Sequence, residues 1–290
     1  MRILPLPNID AMVVFDACVA STGIAETRLR LMAARARIEL GYGYYAEQAQ
    51  ARNLYSFPPL EAEDDALTAL NITAGELKKL YSQQLSVKGR PPRFYYDKIL
   101  ASAPRGKCPL CGFGQASTLD HFLPKSKFPW YSVLPVNLVP ACKDCNHGKG
   151  NKFAVAETEQ VIHPYFEDAA IGHQQWLFAT IEATSPASAL FFAQPPEHWE
   201  VSLKNRITRH FEEYDLARRF SVEAATEIAN LVPMLALLAS KAGEENVKWH
   251  LEAVSMSTSQ IEPNSWKSAL FQALAGNEWY WKGGFQPLIS

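Results

Sequence analysis

The 290-residue sequence contains no uninterrupted apolar run of the ~20 residues that a membrane-spanning helix needs. Its best, 231–239, is short and broken by Pro233. A secretory leader is not expected: Arg2 precedes a partly apolar stretch, but Asp10 and Asp16 fall inside and no small-residue cleavage site follows cleanly. A cytoplasmic protein without membrane contact is therefore expected. Internal repeats and low-complexity tracts are missing, and 48% hydrophobic with 20% charged residues excludes disorder, collagen and coiled coil. Net charge is also scarce, 28 Lys+Arg against 30 Asp+Glu, which taken alone argues against a polyanion partner. What remains is a globular chain long enough for one large core or two to three smaller units.

Cysteine is sparse, five in all, and four of the five form two knuckles, Cys108-Pro-Leu-Cys111 and Cys142-Lys-Asp-Cys145. Two such pairs in a reducing compartment make a tetrahedral thiolate set suited to structural Zn²⁺. A redox role needs only one pair at the start of a helix in a βαβ unit. Cys18 lies in an apolar, helix-like segment and is expected to be a buried small hydrophobe.

Divided by segment, the near-zero charge separates. Residues 1–87 carry 8 basic and 10 acidic side chains, 88–152 carry 11 and 3, and 153–290 carry 9 and 17. The basic stretch encloses both knuckles. A solvated basic face would explain it, but its coincidence with a metal site favours a role in binding phosphate.

Coarse structure follows from periodicity. Leu29, Met32, Ala33, Ala36 and Leu40 share one helix face, and Thr73 with Glu76 fits a capping box. Pro91 and Pro92 can open a helix through Tyr95, Ile99 and Leu100 that Pro104 stops. Segments 176–184 and 189–193 are expected to form a short hairpin. Helices resume after Trp199, with Ala225, Ile228, Ala229, Val232, Leu235, Ala236 and Ala239 as an apolar stripe kinked at Pro233. Trp279-Tyr280-Trp281 is expected to pack the last helix onto the core, the alternative being partner docking. The expected fold is α+β and mostly helical: a helical region (1–87), a zinc-stapled core (88–156), and a C-terminal region (157–290) of a hairpin then helices, open to partner docking.

Structural zinc ribbons usually place ~15 to 20 residues between their pairs; here thirty intervene. That interval holds Leu119-Asp120-His121-Phe-Leu-Pro124-Lys125-Ser126 and Val136-Asn137-Leu138-Val139, and Asn146-His147-Gly-Lys149-Gly150-Asn follows the second knuckle. The ordered set resembles the HNH endonucleases over roughly residues 105–152. The resemblance implies a ββα-metal core around one divalent cation, with the zinc clamping it from outside. It makes His121 the general base that activates water, a task suited to an imidazole. Asp120 is a hard oxygen ligand for Mg²⁺ or Mn²⁺, and Asn146, at the family's third position, is a second. His147 is a further candidate ligand, though one residue on it is rotated about 100° away, and a phosphate contact or plain exposure is the alternative. Asn137, the middle letter of the family name, is implied to bridge backbone across the loop and fix the histidine, which overlaps with capping a turn. Lys125, Lys127, Lys149 and Lys152 are candidate phosphate contacts. Many members have Gly-Gly where this sequence has Phe128-Pro-Trp130-Tyr131; these aromatics are expected to lid the zinc cluster, or else to stack on a base. His163 is either a supporting group or substrate contact, or part of a packed turn.

The run through 128–140 between helical arms also resembles the HNH subunits of Septu-type anti-phage systems, some attached to retrons. That implies an SMC or ABC-like ATPase partner, and in retron systems a reverse transcriptase with its RNA. The expected activity is metal-dependent phosphodiester hydrolysis, of DNA first, leaving a 5′-phosphate and a 3′-hydroxyl. The alternatives are an RNA nuclease acting for instance on tRNA, a non-catalytic zinc-ribbon module that binds nucleic acid, and a nuclease silent until its ATPase binds.

Overall fold

The computed structural model of this chain describes residues 1–61, 63–68 and 71–286. The fold is α+β and dominated by helices; among the described residues the only sheets are two antiparallel pairs. It divides into two compact units, Arg2–Glu167 and Asp168–Ser290, with Met1 belonging to the second.

The first unit begins with α1 (Ala11–Ala20), α2 (Ala25–Ala33) and α3 (Arg35–Gln50). Asp10 caps α1 by accepting from Met12 and Val13 amides, and Cys18 is buried on that helix as a small hydrophobe, its thiol pushed up to about 12 by burial. The helical stretch 29–40 forms, but the apolar face expected of it points outward: Leu29 and Leu40 are 72% and 70% exposed, and Met32 is exposed too. A competing set with the same three-four spacing, Leu31, Ala34, Ile38, Tyr42, Tyr45 and Ala49, is buried instead. Two tyrosine rings bury more area than leucine, methionine and alanines, so the aromatic phase wins.

The predicted capping box is present. Thr73 accepts from the Glu76 amide and Glu76 from the Thr73 amide, opening α4 (Ala74–Lys79), which runs on as a π-helical turn, Leu80–Leu85. α5 (Arg93–Ala101) follows Pro92 as expected. Strands β1 (Thr118–His121) and β2 (Leu138–Ala141) pair antiparallel, Asp120 opposite Val139 and His121 opposite Leu138, and α6 (Lys143–Lys149) returns against β1. α5 packs on both strands, so this small sheet is buried, the β2 pattern being fully so.

The second unit holds the short α7 (Ala170–His173), then the expected hairpin, β3 (Leu177–Glu182) with β4 (Ser188–Ala193). Four helices follow: α8 (Val201–Glu213), α9 (Leu216–Ala242), α10 (Glu244–Ile261) and α11 (Trp266–Gly276). The buried face of α9 is Leu216, Phe220, Ala224, Ile228, Leu231 and Leu235, displaced from the expected stripe because its larger side chains, not Ala225 or Ala229, turn toward β4. Pro233 does not end the helix; it lies on the exposed side. The helix is consequently 27 residues long, and its 18-residue window of mean hydropathy 1.5 is long and apolar enough to cross a membrane by length and composition, which the short run read from sequence was not. Of the aromatic cluster expected to pack, Tyr280 and Trp281 are buried while Trp279 is exposed.

Candidate metal and acid-base site

The two knuckles meet. The four sulfurs of Cys108, Cys111, Cys142 and Cys145 are buried and all lie within 4.8 Å of one another, Cys111 and Cys142 at 3.9 Å. A tetrahedron with Zn–S near 2.3 Å puts its sulfurs about 3.8 Å apart, so the set fits a structural zinc. Backbone amides already face the sulfurs, Gly114 N donating to Cys111 Sγ at 3.4 Å and Cys145 N to Cys142 Sγ at 3.5 Å. Gly114 is required by space, since a Cβ there would stand 2.9 Å from Cys142 Sγ. Cys142 also caps α6, so the cluster fixes where that helix starts.

From that start α6 carries two side chains, one turn apart, to β1. Asn146 Nδ2 donates to Thr118 Oγ1 at 3.1 Å, leaving Oδ1 without a hydrogen-bond partner among the described residues. Thr118 and Asp120 lie on the same face of β1, roughly 7 Å apart along the strand. Lys149 reaches Asp120, its Nζ 3.2 Å from Oδ1 and 3.1 Å from Oδ2, and donates to the His121 carbonyl. Asp120 is 4% exposed, and burial raises its pKa above the usual carboxylate range against the opposing pull of Lys149.

The His121 ring is buried, and Nε2 lies 2.9 Å from the Ser132 carbonyl, so Nε2 carries the proton. Nδ1 then keeps its lone pair and has no hydrogen-bond partner among the described residues. Burial pushes the imidazole down to about 3, Lys125 and Lys149 adding to the shift and the Ser132 bond opposing it. The ring is neutral at physiological pH, the form that accepts a proton.

Asn137, fully buried, ties this loop together. Its Nδ2 donates to the carbonyls of Leu123 and Tyr131, both at 3.1 Å, and its Oδ1 accepts from Leu123 N at 2.8 Å and Tyr45 Oη at 2.9 Å. It thereby spans the chain from the residue after Phe122 to the residue before Ser132. His163 packs behind it, Nε2 3.3 Å from Tyr45 Oη and ring against Phe122, so it supports the loop from within.

Several expected contacts are not where the sequence puts them. Lys149 is no exposed phosphate contact, because its ammonium is paired inside the protein. Lys127 pairs with Glu61 at 2.9 Å, a partner supplied by the N-terminal segment. Lys125 lies over the Tyr81 ring at 5.7 Å, beside His121, while His147 and Lys152 are exposed. Phe128 meets Phe153, and Tyr131 meets Tyr45 and Phe57; the aromatic segment joins the loop to the N-terminal helices instead of lidding the sulfurs. Three contributors carried no local signal: Ser132, Tyr45, and Tyr81, whose ring is 4.4 Å from that of His121 and whose hydroxyl donates to Leu119 O at 3.2 Å. Tyr81 lies in the π-helical turn, a distortion frequent at functional sites.

Fold and site define a class: an α+β protein in which a buried four-cysteine cluster, spaced to hold a metal ion, anchors a helix against a strand bearing a buried Asp-His pair. No family model matches the chain. It is 34% identical to protein ea31 of Escherichia phage lambda over 239 residues, 76% of this chain and 78% of that protein, and it belongs to the family of that protein. No solved structure matches it.

Proposed function

We propose that this chain is a metal-dependent HNH endonuclease that hydrolyses phosphodiester bonds of nucleic acid, DNA in the first place. The observation that carries the reading is the state of His121: a neutral ring held by one nitrogen on the Ser132 carbonyl, with its other nitrogen unpartnered among the described residues, next in the chain to a buried carboxylate. A structural histidine of a packed turn, such as His163, has both nitrogens occupied. Asp120 and the unpartnered Oδ1 of Asn146 are hard oxygen donors on facing elements, a set suited to Mg²⁺ or Mn²⁺ and poorly suited to zinc. Held there, such an ion supplies positive charge to the phosphoryl oxygen and the leaving alkoxide. The protein's own part is proton transfer: His121 Nδ1 takes a proton from the attacking water, and Ser132 keeps the ring in the required tautomer. Asn137 holds both ends of the loop that carries Ser132.

The test is His121→Ala. With either ion present, cleavage of labelled DNA should fall by about 10²- to 10⁴-fold, the usual contribution of a general base, while zinc content and helical circular dichroism stay unchanged. Undiminished cleavage overturns the proposal. Duplex DNA, single strands and tRNA offered side by side decide the substrate, with preferential cutting of tRNA favouring the RNA reading. We extend the proposal to an effector nuclease of an anti-phage system with an SMC or ABC-like ATPase, on the resemblance of segment 128–140. Absence of such an ATPase from material purified with the native chain removes that extension and leaves the nuclease standing.

A further inference from the structure

Lys149 is 4% exposed, and the hydrogen-bond and ion-pair partners of its ammonium among the described residues are oxygens: both carboxylate oxygens of Asp120 and the carbonyl of His121. Lysine is rarely buried so deeply without a partner for its charge. A carboxylate and a carbonyl are also what a hard divalent cation takes. The ammonium therefore fills the cation position of the carboxylate that the nuclease reading gives to the metal. As a strand residue Asp120 projects toward α6, where Lys149 and Asn146 sit one turn apart.

Resting on that reading of the site, we propose that Lys149 is a built-in competitor for the divalent ion, so that the ion reaches Asp120 only as the lysine side chain withdraws. Like charges prevent both from sharing one carboxylate. The lysine is the last residue of α6. Gly148 and Gly150 flank it; a Cβ at 148 would meet nothing within 4 Å, and Gly150 ends α6 at φ +56°, ψ −124°, a conformation that L side chains rarely adopt. An ammonium leaving Asp120 has a natural counterion in a substrate phosphate, which couples the two binding events: nucleic acid draws the lysine out and the metal enters behind it. In the absence of nucleic acid the lysine keeps the carboxylate neutralised and metal affinity low.

The experiment is Mn²⁺ binding, followed by the electron paramagnetic resonance of the free ion, to the zinc-loaded full chain at about pH 8. Lys149→Met and Lys149→Gln should each bind Mn²⁺ about tenfold more tightly or better, within the usual range of coupled sites. Lys149→Arg should keep the weak affinity of the natural chain, and Asp120→Asn should abolish binding. A duplex oligonucleotide should tighten Mn²⁺ binding to the natural chain and leave Lys149→Met unaffected. Equal or weaker binding by folded, zinc-replete Lys149→Met and Lys149→Gln overturns the proposal. If neither variant folds, the natural chain decides: saturating Mn²⁺ should expose Lys149 to acetylation by acetic anhydride, read by peptide mass, and unchanged protection overturns the proposal. Failure of both the natural chain and the neutral variants to bind Mn²⁺ at millimolar concentration overturns the nuclease metal site itself, which separates the two failures.

Discussion

Asp120 and His121 are consecutive, and burial acts on both by opposing charge: it raises the carboxyl and pushes the imidazole down to about 3. Their neighbours then part them. Asp120 has an ammonium against it and is one half of an ion pair; His121 has a carbonyl, the Tyr81 ring and two lysines nearby, and stays neutral. Asn137 shows the energetics of such a site most clearly. Its amide takes part in four hydrogen bonds with no solvent access, two as donor and two as acceptor. Asn137→Ala strands the Leu123 amide and carbonyl and takes one partner each from the Tyr45 hydroxyl and the Tyr131 carbonyl, which keep His163 Nε2 and the Leu134 amide. At about 1–3 kcal/mol for each buried group left unsatisfied, the loss should reach about 3 kcal/mol or more. Urea denaturation checks this; a loss below about 1 kcal/mol would mean that water replaces the amide and that the loop is not held as described.

The four-cysteine cluster and α6 act as one piece, because Cys142 is at once a ligand candidate and the helix cap. The helix has seven residues, too short to persist alone, and the sulfurs at its start are what aim Asn146 and Lys149 at β1. Gly114 is the pressure point. Gly114→Ala puts a methyl 2.9 Å from Cys142 Sγ and 3.4 Å from Cys111 Sγ, both on the metal-facing side and neither able to yield without opening the set. Zinc should be lost to a competing chelator faster than from the natural chain, as read by a colorimetric zinc indicator, and removal of zinc from either protein should lower the melting temperature. Equal release rates would show that the sulfurs have room to shift. Elsewhere in the same unit, the Thr73–Glu76 capping box is tied to α2 through Thr27 and Arg30, so the start of α4 is fixed by tertiary contact as well as by its own cap.

Charge and domain structure meet in the first unit. Arg2–Glu167 carries 19 basic and 16 acidic side chains, whereas Asp168–Ser290 carries 9 and 14. The strongly basic segment 88–152 (+8) is thus offset in part within its own unit, by −2 from residues 1–87 and −3 from 153–167, the Lys127–Glu61 pair being one visible contact with the N-terminal arm. Because Tyr45, Tyr81, Phe57 and Leu60 from that arm all touch the site loop, the nuclease-like segment does not stand apart from it. Residues 1–167 expressed alone should therefore fold and bind one zinc, whereas 88–156 alone should not give a cooperative thermal transition. Metal analysis and calorimetry check both, and a cooperative fold of the shorter piece would show that the arm is dispensable.

The residues of the candidate site were legible in the sequence because their types and order are local: two Cys-x2-Cys pairs, Asp-His, Asn-Leu and Asn after the last cysteine. The capping box, the helix after Pro92 and the β3–β4 hairpin were legible for the same reason, each depending on neighbours within a few residues. Tertiary structure alone decided which of two equally spaced faces of α2 and α3 is buried, since periodicity ranks both alike and only the fit of Tyr42 and Tyr45 separates them. It alone supplied Ser132, Tyr45 and Tyr81 to the site, residues whose roles are contacts across many residues of chain. Above all it turned Lys149 from a surface cation into the buried partner of Asp120: sequence gives a lysine its charge, but only the fold decides whether that charge faces water or a carboxylate.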